Sequence, residues 1–171
     1  MDTFYEQITA VKKTGKSWAA IIGIWLLALI GMAISVLLMG TMLSFIAVFL
    51  FAGAIYGAYK LSCRFSVEYE YIITNGTVDI DKIMSKSTRK RVLSFNLSDV
   101  SRLEKYNPAA QINGKFSSKI IACNQNDPNA YLMVASIKDN GEVLIVMSPN
   151  DRMKGAMVKF LPKYIANSAF K

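Results

Sequence analysis

From Trp18 to Tyr59 the chain is almost entirely apolar and carries no charged side chain. A single helix over that run would reach roughly 63 Å, about twice the ~30 Å hydrocarbon core of a bilayer. The run therefore predicts two spanning helices, at about 18–38 and 42–61, joined by a tight turn near Met39-Gly40-Thr41. Before it, Phe4, Ile8 and Val11 recur at helical spacing, with Tyr5 beside them, which predicts an amphipathic helix over residues 1–17 capped by Asp2 or Thr3. Two readings stand for that helix: one that docks on lipid, or a plain lead-in to the first span. It is not a cleavable signal, because Asp2 and Glu6 lie in it and the apolar stretch that follows is too long.

Past Arg64 the period changes to two. Phe65, Val67, Tyr69, Tyr71 and Ile73 alternate with Ser66, Glu68, Glu70, Ile72 and Thr74, and Asn75-Gly76 predicts a type I′ hairpin turn. Such a turn sets Ile73 opposite Val78 and Tyr71 opposite Ile80, so the two apolar faces agree. The other face brings Glu68, Glu70, Asp79 and Asp81 together. That face reads either as a cation site or as a solvated face relieved by Lys90 of the next strand. A basic linker, Lys86 to Arg91, leads to a third strand over Val92–Leu97, and Val100, Leu103 and Tyr106 carry a short fourth element. Residues 107–118 read as an irregular loop. Strands follow at about 119–124, 130–138 and 142–147, with turns at Asp127-Pro128 and Asp139-Asn140-Gly141. Ser148 as N-cap and Pro149 at the first position open a C-terminal helix. Its core stripe is Met153, Ala156, Met157, Phe160 and Leu161, and Pro162 ends it.

Charge and chemistry then narrow the function. The net charge is +8, spread along the chain, with part of the basic excess flanking the apolar run. Lys12, Lys13 and Lys16 precede that run, Lys60 and Arg64 follow it, and the turn has no charge. By the positive-inside rule this predicts a cell-membrane protein with two spans and both termini cytoplasmic. The spans hold no ionisable residue, which argues against a transport path. Gly53 and Gly57 form a G-x-x-x-G, and Gly31 and Ser35 a looser small pair. They serve either a seam with a second copy or packing within the hairpin. The chain has no His, and Cys63 and Cys123 read as reduced or buried thiols. No nucleophile–base pairing, metal-ligand spacing or phosphate-cradling loop is present, and Asn113-Gly114 and Asn140-Gly141 read as turns. The chain is read as a non-enzyme without cofactors. Its expected partners are the bilayer, an unidentified protein and, through the small residues, a second copy; nucleic acid is not among them.

The fold class is α+β: a two-helix transmembrane hairpin plus a β-rich domain over 65–171, an antiparallel sheet or partial barrel capped by a C-terminal helix. The hairpin Glu68-Tyr69-Glu70-Tyr71-Ile72-Ile73-Thr74-Asn75-Gly76, the run Leu97-Ser98-Asp99-Val100 and the closing Ser148-Pro149-Asn150-Asp151-Arg152-Met153 to Phe160-Leu161-Pro162 resemble bacterial pleckstrin-homology-like domains attached to membrane hairpins. With Met1-Asp2-Thr3-Phe4-Tyr5-Glu6, the whole chain looks like a family of short Gram-positive bacterial membrane proteins known only as a domain of unknown function. That resemblance implies fold and topology and supplies no activity; the chain itself is read as a membrane-anchored binding or scaffolding module. Phosphoinositide-binding members of the wider fold place Lys and Arg around the first hairpin turn. Here Thr74-Asn75-Gly76-Thr77 has none. The candidate lipid-headgroup contacts lie one connection later, at Lys86, Arg89, Lys90 and Arg91, or those residues form a solvated loop.

Overall fold

A computed structural model describes residues 3–110, 112, 114–124, 126–138 and 140–169. Asp2, Asn113 and Asp139, each named above at a cap or turn, lie outside the described residues. The chain forms two compact units, one of Lys12–Val67 with the turn Met84–Ser87, the other of the remaining residues.

The first unit is the apolar hairpin. Helix α1 spans Gly15–Leu38 and helix α2 spans Ser44–Cys63. Their 24 and 20 residues give lengths of about 36 and 30 Å, and both are long and apolar enough to cross a membrane. Helix α1 starts before Trp18 because Thr14 caps it: its Oγ1 accepts a hydrogen bond from the Ser17 N–H at 3.3 Å. The connecting turn satisfies much of its own backbone. The Thr41 Oγ1 donates to the Leu38 carbonyl at 2.8 Å and accepts from the Leu43 N–H at 3.2 Å.

The second unit holds two four-stranded sheets, with no closed barrel among the described residues. The first sheet has the order β1-β2-β3-β4, with β1 Phe4–Ala10, β2 Val67–Thr74, β3 Thr77–Met84 and β4 Thr88–Asn96. The segment expected as an amphipathic helix is thus a strand, antiparallel to β2 from Phe4↔Thr74 to Ala10↔Glu68. Phe4 and Ile8, four apart, share a face in either conformation. The deciding residues are Tyr5, Gln7 and Thr9, which alternate inward and suit a strand better than a helix.

The turn between β2 and β3 has the expected form, with Asn75 and Gly76 both at positive φ. The start of β1 locks onto it. The Thr3 N–H donates to Asn75 Oδ1 at 2.9 Å, and the Asn75 N–H returns to the Thr3 carbonyl at 3.0 Å. Tyr71, Ile73, Val78 and Ile80 are fully buried in one cluster, as the register requires.

A single 3-10 turn, Leu97–Asp99, leads to the second sheet. Its order is β5-β7-β8-β6, with β5 Val100–Lys105, β6 Ser118–Ile121, β7 Tyr131–Ile137 and β8 Gly141–Met147. Strand β6 runs parallel to β8, which departs from the all-antiparallel expectation. The main core lies between the sheets and is closed by Met153, Ala156, Met157, Leu161 and Ile165. A smaller cluster covers the other face of the second sheet: Cys123, Leu132, Val134, Leu144 and Val146, with Tyr106, Ile112 and Phe116 packed on it. The irregular segment after β5 therefore has a structural task. With both faces covered, β7 and β8 read as continuous apolar runs.

Helix α3 spans Asp151–Phe160, and its cap is Asn150, not Ser148. The Asn150 Oδ1 accepts from the Met153 N–H at 2.9 Å, while the Ser148 hydroxyl is committed to Asp127 Oδ2 at 2.7 Å. A short helix α4, Lys163–Ala169, follows Pro162; proline suits the opening of a helix as well as the end of one.

Candidate functional site

Of the carboxylates expected on one face of the first sheet, Glu70, Asp79 and Asp81 are neutralised by arginines, not by Lys90. Arg89 reaches Glu70 at 3.0 Å, and Arg91 reaches Asp81 at 2.6 Å and Asp79 at 3.0 Å. Both arginines stand at the start of β4, before partly buried Val92 and buried Leu93, which pack on the main core. Among the described residues no group of three or more His, Cys, Asp or Glu is placed to hold a metal ion.

Glu70 is fully buried, and its Oε2 has no hydrogen-bond donor among the described residues. Burial raises its pKa above the usual carboxylate range. The Glu6 carboxyl of β1 and the charge of Asp81 push the same way, while Arg89 opposes and is outweighed. Arg91 is held more firmly in its charged form, first by its hydrogen bond to Asp81 and also by the charge of Asp79. Glu6 belongs to this face only because β1 is a strand, so a helical reading of residues 1–17 hides it.

The basic segment 86–91 is not a linker. Residues 88–91 begin β4, and Ser85 and Lys86, both at positive φ, form the turn before it. The Ser85 N–H donates to the Ser66 carbonyl at 3.0 Å, which ties this turn to the chain just past Arg64. Of the four candidate lipid contacts, Arg89 and Arg91 are engaged with carboxylates. Lys86 and Lys90 are exposed and belong to none of the ion pairs among the described residues.

In the hairpin, the seam between α1 and α2 buries Ile21, Ala28 and Ser35 against Ala47 and Ala58. Gly31 stands within it, since a Cβ there would lie 3.6 Å from that of Ala54. The Ser35 hydroxyl bonds back to the Gly31 carbonyl at 2.7 Å. Gly53 and Gly57 behave differently: nothing lies within 4 Å of a Cβ on either. They border a shallow apolar groove with Ile24, Leu27 and Leu61. Gly31 and Ser35 thus pack within the hairpin, and the G-x-x-x-G leaves its face open.

In the core, burial pushes the Cys123 thiol up to about 11, with Asp127 adding to it. Burial likewise raises the Tyr71 phenol, whose hydroxyl donates to the Ala122 carbonyl at 2.6 Å. Both groups are held in their neutral forms by burial. The two cysteines are free, with Cys63 partly exposed.

Two strand layers closed by a C-terminal helix, with an apolar hairpin inserted after the first strand, are matched over residues 1–167 by the family model described as bacterial PH-like domain (DUF6106). The chain belongs to that family. No characterised protein and no solved structure gives a significant match. PH-like domains are generally non-catalytic binding modules, so the family supports a binding or scaffolding role, and the two apolar helices are compatible with membrane association.

Proposed function

We propose that this PH-like protein is a membrane-anchored, non-catalytic scaffold that recruits a protein partner at the cytoplasmic face. The observation that carries the reading is the pairing of Ala10 with Glu68. The chain leaves the sheet for the apolar hairpin at one of these residues and returns at the other. Exit and re-entry at paired positions support a hairpin whose two ends lie on one side of the bilayer. Lys12, Lys13, Lys16, Lys60 and Arg64 flank it, and the positive-inside bias assigns that side to the cytoplasm.

For recruitment, β5 is an edge strand. Leu103, Lys105, Tyr131 and Ser168 line a shallow polar groove beside it. Edge strands recruit extended segments through backbone hydrogen bonds, which leave little trace in the sequence. The test is a photoreactive residue in place of exposed Arg102 in the full chain, irradiated in native membranes. Adducts with a second protein support recruitment. Adducts with the chain itself alone count against it and favour a homo-oligomer.

The second reading is anionic-lipid sensing by residues 86–91. The ion pairs of Arg89 and Arg91 reduce it to Lys86 and Lys90.

A further inference from the structure

The hairpin unit is charged in one sense only. Across Lys12–Val67 and Met84–Ser87 the charged side chains are Lys12, Lys13, Lys16, Lys60, Arg64 and Lys86, with no carboxylate among them. All belong to one end. Helices α1 and α2 are antiparallel, with Gly31 facing Ala54, so the start of α1 lies beside the end of α2. The bond from Ser85 to Ser66 brings the turn carrying Lys86 to that end.

Two further observations mark the place. Ser85 and Lys86 hold φ values of 55° and 56°, a region that Asn and Gly occupy at far less cost than Ser or Lys. Lys86 thus stands at the tip of that turn, at a backbone position where Asn or Gly would fit at lower cost. Lys13 stacks over exposed Trp18, its Nζ 5.2 Å from the ring centroid, and tryptophan beside lysine is the usual furniture of the headgroup layer.

We propose that Lys86, together with Arg64 and Lys60, holds the phosphate of an anionic phospholipid in the leaflet that the hairpin enters. The site rests on the membrane-anchor reading above. It differs from the basic segment read from the sequence, because it takes Lys86 and leaves Arg89 and Arg91 to their carboxylates. Ammonium and guanidinium groups suit a phosphate, and each cation near an anionic surface adds up to about fivefold in affinity.

The experiment uses the full chain in mixed phosphatidylglycerol–phosphatidylcholine vesicles, in a Trp25→Phe background that leaves Trp18 as the reporter. One lipid at a time is brominated near the headgroup end of its acyl chains, and quenching is compared. Brominated phosphatidylglycerol should quench more strongly, and added salt should narrow the difference. Lys86→Gln with Arg64→Gln should reduce that preference severalfold, and Lys90→Gln should leave it in place. Equal quenching by both lipids in the parent, or an undiminished preference in the double variant, overturns the site. Loss of the preference on adding millimolar glycerol phosphate would assign the cations to a soluble phosphate and overturn the lipid. Protein that fails to float with the vesicles would refute the anchor reading itself, a result distinct from the others.

Discussion

The Gln7 side chain bridges two elements that are remote from it in the sequence: its Nε2 donates to the Ser148 carbonyl at 2.8 Å, and its Oε1 accepts from the Asn150 N–H at 2.8 Å. One amide thus joins the first strand to the end of β8 and the entry to α3. Gln7→Ala should cost about 1–3 kcal/mol, since it leaves partly buried backbone groups without a partner. Thermal unfolding of the full chain in detergent micelles checks this, and an unchanged midpoint would show the bridge to be idle.

Gly76 is the second position where a small change should matter. Its φ is +90°, and a Cβ there would lie 2.9 Å from the Phe160 ring. Gly76→Ala combines backbone strain with a clash against α3, and a loss of about 1–3 kcal/mol is expected. Phe160→Ala in the same background should relieve the steric part and leave the backbone part. Non-additivity between the two substitutions is the quantity to measure.

Glu70 predicts the pH dependence of the sheet. Its pKa is raised in the folded state, so the folded chain binds more protons than the unfolded one between the two pKa values. Stability from this group is therefore fully present below the unfolded carboxylate value, and it is lost as pH rises through the folded one. Glu70→Gln keeps an acceptor for Arg89 and supplies a permanent donor toward Glu6. Unfolding midpoints taken from about pH 4 to pH 8 should fall less steeply with pH in the variant than in the parent. A steeper fall would contradict the assignment.

The hairpin glycines should divide into two classes. Gly31→Leu forces a side chain into the seam facing Ala54 and should destabilise the packing of α1 on α2 by about 1–3 kcal/mol. Gly53→Leu and Gly57→Leu enter open space and should leave it intact. Disulfide crosslinking of cysteine pairs across the seam reports the difference. Equal damage from all three would place the G-x-x-x-G inside the seam after all.

Much of this was legible in the residues, for particular physical reasons. The uncharged run reads best as a pair of long helices, as found, and Asn75-Gly76 as a tight turn whose register agrees with the burial of Tyr71, Ile73, Val78 and Ile80. What escaped reading was set by distant partners. Residues 4–10 fit either period, and the strand that decides between them begins only after the hairpin. Arg89 and Arg91 pair with the carboxylates, although regular alternation from Leu93 and Phe95 would place them on the core face. The cap moved from Ser148 to Asn150 because Asp127, far back in the chain, holds the serine hydroxyl. At the candidate site, Lys86 was visible as one member of a basic stretch. Its neighbourhood with Arg64 was not, because it rests on one backbone bond between Ser85 and Ser66.

The placement of β1 also orders events during synthesis. This strand is made before the hairpin, yet the strand it must join is made only after every residue of α1 and α2. The apolar hairpin is thus complete before the sheet can close over Tyr5, Gln7 and Thr9. Pairing of β1 waits on synthesis of both helices, and a nascent chain stalled before β2 would display β1 unpaired.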